Sequence, residues 1–424
     1  MAERELTVTI DRLGALGDGI AGHDGRRLLV PFALPGETVR VRIEGRRADA
    51  EVGTIVDILA ASPQRVEPAC PHFGTCGGCA LQQADEALVT AWRGALVAEA
   101  LAHAGLRDAP IAPPVRAWGA GRRRARLAAL RLHGGRVVLG YHRRRDRAIV
   151  DIRACPQLAA PLAALVAPLR TALGQVLRER ETADVAVNLT DGGLDVLLVG
   201  PRALSLDARL ALTAFAEAED LARISWTPAD REPPEPVAQR RTPVVAFGGI
   251  PVALPADAFL QATAEAEAAM VAFARAAFAG RKRIADLYAG CGAFALPLAA
   301  AARVTACEAA PAMVAALDAA ARRAELGGRL TVERRDLERR PLQPTELKAF
   351  DGVLLDPPRT GAAAQCAALA RSAVPVVVMA SCYPPTFARD ARTLVDGGFR
   401  LTTVQPVDQF GWSHHVELIS RFER

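Results

Sequence analysis

Long apolar runs are absent from this chain of 424 residues. No stretch of eighteen uncharged apolar residues occurs, so the sequence predicts no helix that spans a membrane. The start, MAERELTVTI, lacks the basic residues and apolar centre of a secretory signal, and we therefore expect a cytoplasmic protein. Lysine is nearly absent, with Lys282 and Lys348 alone, so the basic character of the chain rests on arginine.

Eight cysteines in a cytoplasmic chain argue against disulfides and for metal ligation or catalysis. Three of them follow a C-x5-C-x2-C spacing on a glycine-rich segment, at Cys70, Cys76 and Cys79. A tetrahedral metal or an iron–sulfur cluster needs a fourth ligand. Cys155 is the best candidate and His72 is the alternative. The spacing does not distinguish zinc from a [4Fe–4S] cluster, and free structural thiols are the third interpretation.

Short alternating segments dominate residues 1–60. The predicted strands are Leu6–Ile10, Arg27–Val30, Thr38–Ile43 and Ala50–Ile58, and Gly, Asp and Pro residues mark the turns between them. Such a pattern is typical of an OB-like barrel, a common nucleic-acid module. With 8 Arg against 10 Asp and Glu, this segment cannot bind RNA by charge alone, so a purely structural role stays open.

Positive charge concentrates in residues 61–180, which hold 18 Arg and 8 Asp or Glu. Two runs, GRRRAR from Gly121 and YHRRRDR from Tyr141, would form one basic face able to meet phosphates if their strands pair. A solvated surface is the simpler interpretation of such runs. Further on, Arg231–Pro236 (REPPEP) is predicted to be an exposed linker or loop.

One segment organises the last third of the chain. Ile284–Tyr288 is predicted to be a buried strand, the glycine turn AGCG follows, and Phe294–Ala302 is predicted to be a helix, which together make the first unit of a doubly wound parallel sheet. Glu308 ends the next strand, where a carboxylate suits ribose hydroxyls. The third glycine of a G-x-G-x-x-G motif is missing. This favours S-adenosylmethionine over NAD, and a purely structural glycine turn remains a third option.

Reactive side chains are predicted at the ends of later strands. Asp356 follows one apolar run, Cys382 follows another, and Glu417 lies near the C-terminus. A thiolate that adds to carbon 6 of uracil makes carbon 5 nucleophilic toward a methyl donor, and a base then removes the carbon 5 proton. Each residue also has a plain structural interpretation, as a core thiol or a surface carboxylate.

These motifs resemble the bacterial RNA uracil-5 methyltransferases, and in particular the branch that carries an iron–sulfur cluster and acts on 23S rRNA. The resemblance rests on CPHFGTCGGC, FLQ, DLYAGCG, LLDPPRTGA, SCYPPTFARD and HVE, and it covers almost the whole chain. It implies a nucleophile and a base, a set of contacts to S-adenosylmethionine, and four ligands of a [4Fe–4S] cluster. By this resemblance the nucleophile is Cys382 and the base is Glu417. The implied contacts to S-adenosylmethionine are Gln261, Tyr288, Glu308, Asp336 and Asp356. The implied cluster ligands are Cys70, Cys76, Cys79 and Cys155.

Some positions depart from the family pattern. Tyr383 stands where Asn or Asp usually follows the nucleophile, Pro385 replaces the usual Ala, and Thr263 stands where Asn is common. None of these changes removes a reacting group. The transfer-RNA branch usually lacks the cluster cysteines, so their presence favours ribosomal RNA.

The sequence thus predicts an α/β chain of three parts. They are a TRAM-like, OB-like barrel (1–60), a central α+β domain with the cluster loop (61–250) and a Rossmann-like S-adenosylmethionine methyltransferase domain (251–424). We expect an RNA partner, with 23S rRNA favoured over tRNA, no membrane or DNA partner, and a monomer. A non-catalytic RNA-binding or assembly factor and a redox enzyme using NAD are the competing hypotheses.

Overall fold

The N-terminal part of the chain is a single six-stranded sheet. The computed structural model describes residues 4–228 and 233–424. The first strands are β1 (Glu5–Thr9), β2 (Arg12–Leu13), β3 (Gly19–His23), β4 (Arg26–Val30), β5 (Thr38–Arg47) and β6 (Ala50–Ala60). Their order is β1-β5-β6-β4-β3-β2, antiparallel except for the β4–β6 pair. Val8, Leu28 and Val41 are buried in its small apolar core, as the alternating pattern predicts.

The central part contains a second, seven-stranded sheet. The chain first forms α1 (Glu86–His103) and β7 (Val115–Arg116), which pack with the last part of the chain. The central sheet and its helices then comprise β8 (Arg124–Arg131), β9 (Val137–His142), β10 (Ile149–Asp151), α2 (Ala160–Val176), β11 (Thr182–Thr190), β12 (Gly193–Gly200), α3 (Leu206–Ala218), β13 (Arg223–Pro228) and β14 (Glu235–Gln239). The strand order is β10-β9-β8-β11-β12-β13-β14. Helices α2 and α3 pack on this sheet around Leu169, Leu212 and Trp226, which are almost fully buried.

The last part is a parallel sheet with helices on both faces. A hairpin, β15 (Val244–Phe247) and β16 (Ile250–Ala253), precedes it. Then follow α4 (Ala264–Ala277), β17 (Arg283–Leu287), α5 (Ala295–Ala299), β18 (Arg303–Glu308), α6 (Pro311–Arg323), β19 (Leu330–Arg334), α7 (Pro344–Leu347), β20 (Gly352–Leu355), α8 (Ala363–Ala370), β21 (Val376–Ser381), α9 (Pro384–Asp396), β22 (Arg400–Asp408) and β23 (Glu417–Glu423).

The strand order of this sheet is β19-β18-β17-β20-β21-β23-β22-β7. Strands β17 to β21 are parallel and β23 runs antiparallel to both of its neighbours. Because the order reverses between β17 and β20, a crevice is expected outside the carboxyl ends of these two strands. Alternate residues of β20 face opposite cores, with Leu354 toward the α4 and α6 side and Val353 and Leu355 toward the α8 and α9 side.

Most predicted elements are found within a few residues of their expected bounds. Helix α5 is shorter than predicted, since the chain must turn before β18 begins at Arg303. Of the predicted linker Arg231–Pro236, residues 231 and 232 lie outside the described part, and Glu235 and Pro236 already belong to strand β14. Within the described residues, no helix is both long and apolar enough to cross a membrane.

Candidate active site

The sheet topology gathers most of the predicted site residues at one edge. Tyr288 follows β17, Glu308 ends β18, Asp356 follows β20 and Cys382 follows β21. Parallel strands end at the same edge of a sheet, so these four residues lie along that edge. Strand β23 is antiparallel to β21, and its first residue, Glu417, therefore lies at that edge as well.

Cys382 and Glu417 are neighbours through strand pairing. Ser381 of β21 lies opposite Leu418 of β23, so the residues just beyond this pair stand side by side. Burial, together with the carboxyl groups of Glu417 and Asp356, raises the pKa of the Cys382 thiol to about 11. The thiol is nevertheless only half-buried, whereas Glu417 is 3% exposed.

Two carboxyl groups next to the thiol are biased toward their protonated forms. Burial and the nearby Asp356 raise the pKa of Glu417 to about 8, and the hydrogen bond from Gln409 acts in the opposite direction. Burial raises the pKa of Asp356 to about 7. Acidic groups poised near neutrality in a cleft are typical of sites that transfer protons.

A buried glutamine that the sequence reasoning missed connects the base side of this site. Gln409 Nε2 donates to Glu417 Oε2 at 2.8 Å and to Gln261 Oε1 at 2.9 Å, and its Oε1 accepts from the Ala262 backbone N–H at 2.8 Å. Gln261 therefore joins the same corner as Glu417 although 156 positions separate them in the sequence. No motif marks Gln409, because it lies in a loop between two strands that pair only in the folded sheet.

The two glycines of the AGCG turn serve different purposes. Gly290 has a φ of +55°, and a side chain there would meet only open space, so the turn leaves an uncovered cradle. Gly292, with a φ of +94°, lies where a β-carbon would come within 2.4 Å of Leu317 Cδ1 in α6. Gly292 therefore leaves room for the packing of α6 against the turn.

Two carboxyl groups, those of Glu308 and Asp286, lie close to this turn. Glu308 Oε2 accepts from Gly290 N at 2.9 Å and its Oε1 accepts from Ala310 N at 2.8 Å. Asp286 is fully buried in β17, where the Ala295 backbone N–H is the neighbour that lowers the pKa of its carboxyl group. Burial, Asp356 and Glu308 together raise the pKa of Asp286 well above its usual range.

Tyr288 and Asp336 lie at the far side of the crevice. The Tyr288 hydroxyl donates to Glu338 Oε1 at 3.4 Å, and Asp336 Oδ1 accepts from Glu338 N at 3.1 Å. Asp336 also forms an ion pair with Arg339 at 3.5 Å. The Asp336 carboxylate thus caps its own turn and has no contact with the Cys382 corner in the described structure.

The thiol opens into a cavity of about 340 Å³ between the N-terminal sheet and the parallel sheet. Arg12 and Arg27 come from the first sheet, and Glu99 and His103 come from α1. Its opposite wall is formed by Arg359, Cys382, Tyr383, His414 and His415. Small-molecule sites fall in the range of about 300–1,000 Å³, so the cavity has the size of a ligand site.

The four predicted cluster cysteines line one smaller cavity of about 30 Å³. Burial raises the pKa values of Cys76, Cys79 and Cys155, that of Cys79 to about 11. His72 Nε2 already accepts a hydrogen bond from Arg153 N at 2.9 Å, which makes His72 a poor candidate for the fourth ligand. Cys155 is therefore the better fourth member of the set.

The distances between these side chains are not those of a preformed metal centre. Among residues 4–228 and 233–424, no group of three or more His, Cys, Asp or Glu side chains is arranged to hold a metal ion. Neutral thiols have no attraction that would draw them together. Thiolates, in contrast, converge around a cation that they ligate. The shared cavity and the donor chemistry fit a cysteine-ligated group, but the arrangement of the thiols alone does not identify one.

The cysteine segment is bonded directly to the loop that carries Gln409. Ala80 N and Leu81 N both donate to Trp412 O, at 2.8 and 3.1 Å. Gln157 Nε2 donates to Phe410 O at 3.2 Å, and a β-carbon at Gly411 would come within 2.6 Å of Gln157 Nε2. We call these contacts the cysteine-loop seam.

Strand β8 pairs with β9, but the ladder joins residues 128–131 to 137–140, so the two arginine runs lie beyond its end. They do not form an open basic face throughout, because several arginines pair with carboxylates from other parts of the chain. Arg123 pairs with Glu267, Arg126 with Asp257, and both Arg144 and Arg145 with Asp18. These arginines tie the central part to its two neighbours.

Comparison with known proteins gives family matches over both ends of the chain. The family described as tRNA (Uracil-5-)-methyltransferase matches residues 250–421, and the TRAM domain family matches residues 2–48. An uncharacterized RNA methyltransferase of Caulobacter vibrioides is 43% identical, covering 98% of this chain and 99% of the relative. The 23S rRNA (uracil(1939)-C(5))-methyltransferase RlmD of Edwardsiella ictaluri is 34% identical, covering 99% and 95%.

A solved structure has the same fold. The crystal structure of Pyrococcus abyssi tRNA (uracil-54, C5)-methyltransferase in complex with S-adenosyl-L-homocysteine matches with a TM-score of 0.75 at 20% identity, covering 98% of this chain and 99% of that one. The fold prediction, including the TRAM barrel, is confirmed. With relatives of this identity along its whole length, the chain belongs to the RNA uracil-5 methyltransferase family.

Proposed function

We propose that this enzyme uses S-adenosylmethionine to methylate carbon 5 of a uridine in 23S rRNA. The observation that carries the proposal is the adjacency of the buried Glu417 carboxyl group and the Cys382 thiol, which lines an open cavity. The RlmD relative supports the choice of 23S rRNA, since it matches along 99% of this chain. The cysteine segment supports the same choice.

The thiol acts first. In the described structure Cys382 is a protonated thiol near neutral pH, so its proton must leave as its sulfur bonds to carbon 6 of uracil. The Asp356 carboxylate adjoins the thiol and accepts this proton, so that the Glu417 carboxylate stays free for the carbon 5 proton. Closing the bond at carbon 6 makes carbon 5 enolate-like and therefore nucleophilic.

Bound S-adenosylmethionine supplies an electrophilic methyl group. After carbon 5 has been methylated, Glu417 removes the remaining carbon 5 proton, the double bond re-forms and Cys382 leaves as a thiolate. The burial of Glu417 and the nearby Asp356 carboxyl group raise the pKa of Glu417 to about 8. A base works best when its pKa lies near the pH at which the enzyme operates.

The residues around the glycine turn fit the methyl donor. Gly290 leaves an open cradle, and the Glu308 carboxylate lies directly beside it at the end of β18, where ribose hydroxyls are bound in this class of fold. Gln261, Tyr288, Asp336 and Asp356 complete the set that we assign to this ligand.

The RNA would be held between the TRAM barrel and the parallel sheet. Arg12 of the barrel faces the cavity from the side opposite Cys382, where it can meet a phosphate, and Arg27 lies beside it in an ion pair with Asp49. Phe259, two residues before Gln261, is 59% exposed and lies under the Arg124 guanidinium at 4.3 Å. Unstacked RNA bases commonly stack on such exposed aromatic and arginine planes.

We further propose that Cys70, Cys76, Cys79 and Cys155 hold a [4Fe–4S] cluster. Four cysteines on one cavity are the donor set of such clusters, and His72 is occupied elsewhere. The cluster would fix the cysteine segment in place. All eight cysteines are free thiols, in keeping with the reducing cytoplasm that we propose as the site of action. A monomer stays a prediction.

Incubation with labelled S-adenosylmethionine and 23S rRNA fragments tests the activity. We expect 5-methyluridine in a ribosomal fragment and none in transfer RNA. Methylation of transfer RNA alone would redirect the substrate assignment. RNA binding without any methyl transfer would favour the assembly-factor hypothesis, and failure to bind S-adenosylmethionine would reject the cofactor.

Anaerobic purification tests the cluster. We expect a brown protein that contains iron and sulfide, and a Cys155→Ser variant that has lost most of both. A colourless protein loaded with zinc would overturn the assignment.

A further inference from the structure

Gln409 is the most constrained polar side chain at the site. It is 1% exposed and lies one residue after the end of β22. All three of its amide hydrogen bonds go to groups of the active-site corner, namely Ala262 N, Gln261 Oε1 and Glu417 Oε2. A buried amide with this many partners has a single stable orientation.

The polarity of the network follows from one backbone group. The Ala262 N–H can only donate, so the Gln409 atom facing it must be Oε1. Gln409 Nε2 then faces Gln261 and Glu417, and because it can only donate, both partner atoms are acceptors. The Gln261 amide is thereby turned, so that its own Nε2 points away from Gln409 as a donor.

The loop that carries Gln409 is itself fixed. Asp408 Oδ1 accepts from Phe410 N at 3.2 Å and from Gly411 N at 3.0 Å, and Asp408 Oδ2 accepts from Arg93 of α1 at 2.5 Å. Arg93 is 1% exposed. The Gln409 side chain is therefore delivered by a rigid turn, as positioning of reacting groups requires.

We propose that Gln409 is a positioning residue that occupies Glu417 Oε2 and so reserves Oε1 of that carboxyl group for the carbon 5 proton. This inference rests on the proposed function. In the step concerned, the C5–H bond breaks and its electron pair forms the C5–C6 double bond. The C6–S bond breaks, Cys382 keeps that electron pair, and the proton goes to Glu417 Oε1. Because Gln409 Nε2 occupies Gln261 Oε1, the Gln261 side chain is left with its Nε2 as a donor toward an acceptor oxygen in the pocket.

The charge state of Glu417 depends on what faces it. Burial and Asp356, which faces it from the end of β20, favour the protonated carboxyl group, whereas Cys382 at the end of β21 is a neutral thiol. Gln409, from the end of β22, is the neighbour that favours the carboxylate. Removing this donor should therefore raise the pH at which Glu417 becomes a base.

A pH series of quenched single turnovers tests this role. Labelled methyl donor and a 23S rRNA fragment are mixed with enzyme, and covalent RNA–protein adduct and released product are separated on denaturing gels. For Gln409→Met we expect the pH at which adduct and product are equal to move upward by about one unit, a tenfold change in product at fixed pH. Gln409→Glu, nearly the same size, should move it upward as well, because it places a second carboxyl group against Glu417.

Gln365→Met is the matched control. Gln365 is also fully buried in the same domain, but its two hydrogen bonds go to the Leu342 backbone at 2.8 and 3.2 Å. We expect it to lower thermal stability and to leave the pH midpoint unchanged. If the Gln409 variants lose activity with the wild-type midpoint, Gln409 is only structural and the inference is wrong. If the wild type itself forms neither adduct nor 5-methyluridine, the proposed function fails, and the inference fails with it.

Discussion

Cys382 and Glu417 stand next to each other because β21 and β23 run in opposite directions, with Ser381 paired to Leu418. A parallel β23 would begin at the other edge of the sheet and would carry Glu417 away from the thiol. The single antiparallel strand near the end of the sheet thus brings a thiol and a carboxyl group together from positions 35 residues apart.

Replacement of the nucleophile should abolish methyl transfer. We expect Cys382→Ala to lower turnover by on the order of 10⁴-fold, because the carbon 6 adduct cannot form, while binding of S-adenosylmethionine is kept. Transfer of a labelled methyl group to RNA measures turnover, and calorimetry measures binding of S-adenosylmethionine. Cys366→Ala, a change of a fully buried thiol in α8, should stay active. Comparable activity in the two variants would assign the nucleophile elsewhere.

Glu417→Gln should separate the two halves of the reaction. The amide cannot accept the carbon 5 proton, so we expect methylated RNA to remain attached to Cys382 as a slowly migrating band on a denaturing gel. The double variant Glu417→Gln with Cys382→Ala should show no band. Normal turnover of Glu417→Gln, with no band at any time point, would mean that another group is the base.

The stability of the ligand-free protein should depend on pH through the same carboxyl group. The pKa of Glu417 is about 8 in the folded state against 4.5 as its ordinary value, so its stabilising contribution is complete below about pH 4.5 and is lost as the pH rises through 8. Asp356 acts in the same direction, with a folded pKa of about 7.

We therefore expect the melting temperature of the wild type, relative to that of Glu417→Gln, to fall by about 5 °C between pH 5 and pH 9. The comparison cancels the carboxylates elsewhere in the chain, which both proteins share. Parallel melting curves across this range would show that Glu417 is not held in its protonated form.

Tyr383 should contribute to RNA binding through its ring. The Arg359 guanidinium lies 4.4 Å from the ring centroid at the mouth of the cavity, and Arg359 makes no ion pair with any residue that the structure describes. A cation–π contact of this kind is worth about 0.5–2 kcal/mol. We expect Tyr383→Asn to raise the KM for RNA about tenfold and Tyr383→Phe to leave it nearly unchanged. Equal KM values for the two variants would exclude a role for the ring.

A change at the cysteine-loop seam should reduce the activity of the site. Gly411→Ala would place a β-carbon 2.6 Å from Gln157 Nε2, so the Gln157 amide must move away from Phe410 O. The loop that carries Gln409 then loses this bond, and turnover should fall at least tenfold. Gly249→Ala is the matched control, since Gly249 also has a positive φ, +85°, but faces open space. Both changes strain the backbone by about 1–2 kcal/mol, and only the first should reduce methylation. Equal activities would show that the seam is not coupled to the base.

Much of the site could be predicted because strand ends are visible in the sequence. An apolar run followed by Asp356-Pro-Pro or by Ser381-Cys382 marks a carboxyl end, and in parallel sheets such ends converge. The position of Glu417 follows only when β23 is known to be antiparallel, and here the family resemblance supplied what the pattern could not.

Tertiary partners explain what the sequence did not predict. Gln409 acquires its role from Ala262 and Glu417, which come from distant segments, and a lone glutamine in a loop has no pattern of its own. The arginine runs predict a basic surface, yet which of them stay free depends on carboxylates such as Asp18 and Glu267. The role of Gly292 likewise depends on Leu317, since sequence spacing shows a glycine without showing what it touches.

The cysteine-loop seam has a physiological consequence under the proposed cluster assignment. Trp412 O and Phe410 O are held by the segment whose thiols would ligate iron, and Gln409 is the residue just before them. Scarcity of iron, or oxidative damage to the cluster, would then free the loop that positions Gln409 and Glu417, while the rest of the fold is kept. Cells grown without sufficient iron should carry under-methylated ribosomes even when the amount of this protein is normal.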